Sequence, residues 1–424
     1  MRRIFQGLTA ALLASAAPAL ADTTIIHADG IVTDAGAELR GKVTVTVTDG
    51  RIVSVEDGWS GVPEGADMVH LEGKTLVPGL IDLHTHLSGD PSGEFWRAAT
   101  TPLEWNAFVA AKNARLTALA GFTTVRDLGA RSDQVMQMLR RATAEGVVPG
   151  PRVIASGRTI AIVGGHGDVN GFRREVNDAI ATSFTCTGAT ECAEMVRTAS
   201  KYGADLIKIT ATGGVLSQQG RGLGAHFTFE EMRSIVTTAE TLGLKVAAHA
   251  HGARGIEAAA RAGVHTIEHG TYIDEAAAKA MRENGTTLVP TLMAYEGIKG
   301  NLGKGFYTPV VEDKIREAGQ YADTIVERAI RWNVKIAFGT DAGVFPHGQN
   351  AGEFRLLMNN GMSSRDAFAS ATTVAAEMLG LESEIGKIAP GYSADIIAVE
   401  GNPLEDATVL EDVDWVMVRG RVID

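Results

Sequence analysis

Two kinds of hydrophobic pattern divide the chain. Near the start, Val43-Thr44-Val45-Thr46-Val47 alternates apolar and polar β-formers, Asp49-Gly50 supplies a hairpin turn, and Arg51-Ile52-Val53-Ser54-Val55 resumes the strand. Short strands broken by turns are expected from Thr23 to about Leu76. The far end has the same character, with Asp395-Ile396-Ile397-Ala398-Val399 and then Asp414-Trp415-Val416-Met417-Val418 before Gly420. Two β-rich ends around a long middle predict one small β-sandwich domain built from both termini, residues 22–77 and 380–424.

The middle, residues 78–379, reads differently. Short apolar runs recur at Thr123-Thr124-Val125, Val153-Ile154-Ala155, Leu206-Ile207-Lys208-Ile209, Lys245-Val246-Ala247-Ala248, Thr266-Ile267, Thr287-Leu288-Val289 and Lys335-Ile336-Ala337-Phe338. Ala-rich amphipathic stretches separate most of them, as from Phe229 to Leu242 and from Gly255 to Ala262. Regular alternation of strand and helix predicts an α/β fold, a parallel (β/α)8 TIM-like barrel, with a doubly wound sheet as the alternative.

Composition narrows the function classes. The 424 residues are 45% hydrophobic and 21% charged, as in an ordinary globular protein. A formal net charge of −12 argues against a phosphate backbone as partner, so no nucleic acid is expected. Beyond the N-terminus no apolar run is long enough for a membrane span. Residues 1–21 read as a signal peptide: Arg2 and Arg3, then an apolar stretch from Leu8 to Leu13, then Ala19-Leu20-Ala21 at the cleavage point. A secreted or periplasmic protein is expected, and in an oxidising compartment Cys186 and Cys192 can close a small disulfide loop. A pair of buried thiols is the alternative.

Polar residues fall at the ends of the apolar runs. His84 and His86 close Val77-Pro78-Gly79-Leu80-Ile81-Asp82-Leu83, and alternate residues of a strand share one face. Lys208 lies within its run, His249 and His269 end theirs, and Asp341 ends Ala337-Phe338-Gly339-Thr340-Asp341. In a parallel barrel the C-terminal strand ends face the active site. A lone histidine is usually a hydrogen-bonded core or surface residue, but six such groups in order point to a metal centre.

The stretch Pro78-Gly79-Leu80-Ile81-Asp82-Leu83-His84-Thr85-His86 resembles the amidohydrolase superfamily, as do Gly121-Phe122-Thr123-Thr124-Val125-Arg126-Asp127, Gly339-Thr340-Asp341 and Gly391-Tyr392-Ser393-Ala394-Asp395. Within it, Gly164-Gly165-His166-Gly167 and the segment from Ile207 to Val215 resemble the zinc-dependent prolidase-type group, which includes Xaa-Pro and other dipeptidases and relatives that cleave ochratoxin-like amides. The resemblance implies two divalent metal ions, most readily zinc. It also implies that carbon dioxide carboxylates Lys208. An ammonium would repel two dications, whereas a carbamate offers one oxygen to each. His84, His86 and Asp341 would hold one ion, His249 and His269 the other, and Lys208 would bridge them.

Asp341 is then the expected proton carrier and His166 the expected oxyanion stabiliser. With His166, residues His251, Arg254 and Tyr272 are the expected substrate-binding groups, meeting a free carboxylate. Arg126 and Asp127 are expected to form an internal ion pair, and His347 and Glu353 are candidate pocket lining. The expected activity is hydrolysis of small N-acyl amino acids or dipeptides. The alternatives are a deaminase, a cyclic-amide hydrolase of the dihydroorotase, hydantoinase or imidazolonepropionase kind, and a non-catalytic binding protein on the same fold. A deaminase typically carries a glutamate soon after the histidine of the fifth strand, where this chain has Gly252-Ala253-Arg254. Relatives often assemble, which leaves a homo-oligomer open.

Overall fold

A computed structural model describes residues 22–91, 95–218, 220 and 222–424, so the expected signal segment, residues 1–21, lies outside the described residues. Four strands come first: β1 (Thr23–Ile31), β2 (Val43–Thr48), β3 (Arg51–Asp57) and β4 (Asp67–Pro78). The middle holds β5 (Leu80–Thr85), β6 (Phe122–Asp127), β7 (Arg152–Ala155), β8 (Ile160–Ile162), β9 (Phe184–Cys186), β10 (Ile207–Thr210), β11 (Val246–Ala250), β12 (Thr266–His269) and β13 (Thr287–Val289). The last three are β14 (Ile396–Val399), β15 (Val413–Val418) and β16 (Arg421–Val422).

Both ends of the chain share one seven-stranded sheet, in the order β16-β15-β14-β4-β1-β2-β3. The β2–β3 hairpin turns at Asp49 and Gly50, with φ of 50° and 76°. Two left-handed residues give the turn a twist that matches its strands. The expected β-sandwich is instead one continuously bonded sheet. β1 pairs with β2 on one edge and β4 on the other, and the second edge of β4 takes β14, so the ladder never breaks. Val43, Val45 and Val47 point inward with Ile26, Leu76, Ile396 and Met417, a core of its own.

The middle forms two parallel sheets, β5-β6-β7 and β13-β12-β11-β10-β8-β9. The apolar run at 335–338 is tied to both sheets by isolated bonds rather than by a regular strand. Ala337 N donates to Leu288 O (2.9 Å) beside β13, while Leu83 N donates to Phe338 O (3.1 Å) and Asp341 N to His84 O (2.7 Å) beside β5. The fit leaves no room for a side chain at Gly339, where a Cβ would lie 2.4 Å from Val289 Cγ1. On the other side, Asp205 N donates to Ala155 O (2.8 Å), joining β7 to the approach to β10.

Helices pack outside these strands. The helix Phe229–Thr241 starts at a capping box between Thr228 and Glu231 and buries Met232, Ile235, Val236 and Ala239. The helix Ala253–Ala262 buries Ile256, Ala259 and Ala260 and stops at Gly263, whose φ is 96°. β8 and β9, of three residues each, are too short to show a period in the sequence. Cys186 and Cys192 are joined as a disulfide, pinning β9 to the helix Ala189–Lys201. Among the described residues no helix is long and apolar enough to cross a membrane.

Candidate metal centre

His84 is the penultimate residue of β5 and His86 directly follows the strand, and alternation along it turns both rings toward Asp341. Asp341 Oδ1 lies 3.4 Å from His84 Nε2 and 3.2 Å from His86 Nε2. It is buried and, among the described residues, accepts no hydrogen bond. Each ring is anchored by its other nitrogen, His84 Nδ1 at 2.9 Å from Glu268 Oε2 and His86 Nδ1 at 2.8 Å from Gly129 O. Burial alone would raise the Asp341 carboxyl, but the adjacent His84 and His86 hold it well below the usual range. An orphaned carboxylate oxygen facing two imidazole nitrogens is the donor set a divalent cation requires, and the site fits one.

A second cluster stands beside it. His249, His251 and His269 offer ligand atoms that all lie within 4.8 Å of one another. The His249 ring centroid is 4.6 Å from those of both His251 and His269. The outer nitrogens are taken: His249 Nε2 by Gly213 O (3.2 Å), His251 Nδ1 by Thr271 Oγ1 (2.7 Å) and His269 Nδ1 by Thr291 Oγ1 (2.6 Å). One nitrogen of each ring is left for the interior, the arrangement in which outer partners fix a ligand's orientation. Burial keeps these imidazoles neutral, pushing His84 down to about 4 and His251 to about 3. Neutral imidazole is the form that binds a metal.

Backbone strain gathers here. His269, its partner Thr291, and Asp341 have φ of 72°, 52° and 62°, in the left-handed region that non-glycine residues avoid. Each such residue costs roughly 1–3 kcal/mol and persists only where its surroundings demand it. Lys208, 4% exposed on β10, brings its Nζ to 3.5 Å from His84 Nε2. Burial pushes its ammonium down to about 8, against the raising effect of Glu268 and Asp341.

Both clusters and Lys208 line one cavity of about 280 Å³, whose far wall is apolar: Val215, Leu216, Leu292, Tyr295, Ile298 and Ile325. His166 reaches it from the loop after β8, with Nδ1 at 2.7 Å from Ser217 Oγ and its ring centroid 4.2 Å from that of His249. Gly214 permits this approach, since a Cβ there would come within 2.3 Å of the His166 ring. Burial pushes His166 down to about 3.

Eight of the ten residues expected at the site therefore meet at one cavity: His84, His86, His166, Lys208, His249, His251, His269 and Asp341. Arg254 and Tyr272 do not line it. Arg254 is exposed on the outer helix, and the Tyr272 hydroxyl donates to Glu317 (3.2 Å) with its ring against Tyr321. His347 and Glu353 stand one layer behind. His347 contacts Thr117 Oγ1 (2.8 Å) and the His86 carbonyl (3.2 Å), and Glu353 accepts from the backbone N–H groups of Leu292 (2.9 Å) and Met293 (2.7 Å).

The expected Arg126–Asp127 pair does not form, because neighbours on a strand face opposite sides. Arg126 donates to Glu268 Oε1 (2.9 Å) and Leu83 O (2.6 Å), while Asp127 accepts from Leu87 N (2.6 Å). Two supporting carboxylates were missed by the sequence reading. Glu268 orients His84, and Asp82 accepts from His84 N (2.9 Å), Thr340 Oγ1 (2.6 Å) and Asn350 Nδ2 (2.8 Å), joining two ligand-bearing segments. The signal in each case was an acidic residue inside an otherwise apolar strand.

The model of the Amidohydrolase family matches residues 75–423. The chain is 30% identical to ochratoxinase from Aspergillus niger over 422 residues, covering 92% of this chain and 84% of that one. Among solved structures it is similar to a Xaa-Pro dipeptidase with bound methionine in the active site, with 37% identity, a TM-score of 0.87 and coverage of 95% and 99%. It is also similar to a prolidase complexed with N-methylphosphonate-L-proline, with 33% identity, a TM-score of 0.84 and the same coverage.

Proposed function

The chain belongs to the amidohydrolase family, in its prolidase-type group of hydrolases acting on C–N bonds, and on that premise we propose that it cleaves small N-acyl amino acids or dipeptides at a two-metal centre. In this reading the parallel strands from β5 to β13, closed by the segment 335–342, are a (β/α)8 barrel with the centre at its C-terminal mouth. The observation that carries the reading is the pair of donor clusters on one cavity with the Lys208 amine beside them. The names of the relatives, ochratoxinase, Xaa-Pro dipeptidase and prolidase, support a small amide as substrate.

His84, His86 and Asp341 would hold one ion and His249 and His269 the other, with Lys208 between them as a carbamate and zinc as the favoured metal. Bound dications polarise a scissile carbonyl and acidify water enough to give a nucleophile at neutral pH. A lysine amine titrating near 8 spends part of its time uncharged, the form that adds to carbon dioxide. With Oδ1 turned toward the two histidines as a metal donor, the other Asp341 oxygen takes the proton of the attacking water and passes it to the departing amine nitrogen. When the Ser217 hydroxyl donates to His166 Nδ1, the ring carries its proton on Nε2 and offers it to the developing oxyanion. His251 faces the same space with one nitrogen open to the substrate. The apolar wall excludes water and seats the acyl part.

An exported location is supported by the leader-like sequence of residues 1–21 and by the Cys186–Cys192 disulfide. The test is a hydrolysis screen of zinc-loaded, bicarbonate-treated protein. Its panel pairs Xaa-Pro, other dipeptides and N-acyl aromatic amino acids, including aryl amides of the ochratoxin kind, with C-terminally amidated controls. Cleavage of the free acids supports the reading. Turnover of lactams or hydantoins alone would keep the metal centre and replace the substrate class.

A further inference from the structure

A substrate with a free carboxylate is best held by a cationic side chain, and among the described residues lining the cavity of the two donor clusters Lys208 alone carries one. A second cavity, of about 490 Å³, opens next to it. The two share His86, Thr159, Gly167 and Val344 as lining, so they are lobes of one space on either side of His86. Their character differs: the first is walled by apolar side chains, and the second carries Arg131 and Arg97 with polar neighbours such as Ser88, Asn106 and Ser183.

Arg131 occupies a telling place. It follows β6 by four residues, in the loop whose Gly129 carbonyl anchors His86 Nδ1 at 2.8 Å. Its side chain is half-buried, and burial lowers its pKa with no carboxylate acting against it. Among the described residues it makes no hydrogen bond or ion pair, and Asp90, which lines the same cavity, forms none with it. A half-buried guanidinium without an anion is costly unless a ligand supplies one. Arg97 is exposed, lying 6.0 Å from the centroid of the neighbouring Trp96 ring.

We infer that Arg131 is the residue that selects the substrate, receiving the free carboxylate of a small linear amide in the polar lobe while the apolar lobe takes the opposite, hydrophobic end. This rests on the proposed amide hydrolysis and replaces Arg254 and Tyr272 as carboxylate partners. Guanidinium and carboxylate match as a fork with two parallel hydrogen bonds, so the contact fixes orientation as well as affinity. A substrate anchored there has its carboxyl end on the His86 side of the centre and its acyl end against Leu292, Tyr295 and Ile325.

The experiment compares N-benzoyl-L-phenylalanine with its C-terminal amide on the metal-loaded protein, both by equilibrium binding and by release of benzoate. Wild type is expected to prefer the acid, and Arg131→Ala to lose that preference through a rise in KM of roughly tenfold to a hundredfold, the size expected for a charge-assisted pair. Arg131→Lys should recover part of the preference, since it restores the charge without the fork. Preference retained in Arg131→Ala, or lost in Arg97→Ala instead, overturns the assignment while leaving amide hydrolysis standing. Wild type that binds acid and amide equally overturns it whether or not either is cleaved. Acid-selective binding without benzoate release, abolished by Arg131→Ala, upholds the assignment and counts against the hydrolytic reading alone.

Discussion

His84 and Glu268, from β5 and β12, meet with Nδ1 2.9 Å from Oε2, both fully buried, and Arg126 closes on the other carboxylate oxygen at 2.9 Å. Burial works to raise the Glu268 carboxyl, but Arg126 and His84 outweigh it and leave the group ionised. A charged carboxylate behind an imidazole fixes its tautomer, with the proton on Nδ1 and the lone pair of Nε2 aimed at the centre.

Glu268→Gln should therefore weaken metal binding by roughly tenfold to a hundredfold, the usual loss for an outer partner of a ligand histidine. It also leaves the buried Arg126 charge without its paired carboxylate, so the melting temperature should fall. Chelator competition on a folded variant measures the first effect. Unchanged affinity would remove Glu268 from the metal centre.

Lys208→Ala is expected to bind fewer metal ions per chain than wild type and to lose activity by at least about a hundredfold, as losing a bridging ligand disrupts both sites. Short carboxylic acids such as acetate or propionate should restore part of the activity by occupying the vacated space. Metal content by mass spectrometry of the native protein, with and without the acid, reads both. A variant with full metal content and full activity would show Lys208 to be an ordinary buried lysine.

His249 and His251 sit close together but are assigned different work. His249→Asn should strip metal from the protein, whereas His251→Asn should keep it and raise KM. The converging geometry also allows His251 as a ligand. Loss of metal in His251→Asn would move it into the ligand set.

Glu353 supplies a pH dependence of stability. Burial pushes its carboxyl from 4.5 up to about 8, although two backbone N–H groups pull the other way. Below pH 4.5 both folded and unfolded chains carry the proton, and between there and about 8 the folded state alone holds it. Stability should fall as pH rises through that window and level off above it. Glu353→Gln should be less stable than wild type at the acid end, by about 1–2 kcal/mol for the mismatched N–H partner, yet show a flatter profile, so that the two curves close up as pH rises. Melting temperatures from pH 5 to 9 distinguish the two curves.

The sequence by itself determined the parts that repeat with a short period or end a run. Alternation of Val43, Val45 and Val47 and the Asp49-Gly50 turn specified a hairpin, since side chains on a strand face opposite sides in turn. The apolar runs located seven of the nine middle strands, and the residues that close the runs supplied five of the six cluster donors, His84, His86, His249, His269 and Asp341, while His251 lies two residues beyond His249. Tertiary structure decided what depends on segments distant in the chain. It bonded the two termini into a single sheet, turned the 335–342 segment into a bridge between β13 and β5, and sent Arg126 to Glu268 rather than to its neighbour Asp127. It also put Arg254 on the exposed face of an outer helix and left Arg131 half-buried in the cavity that His86 lines. Strand period fixes which face a side chain occupies, but which distant group meets it there is set only when the strands pack together.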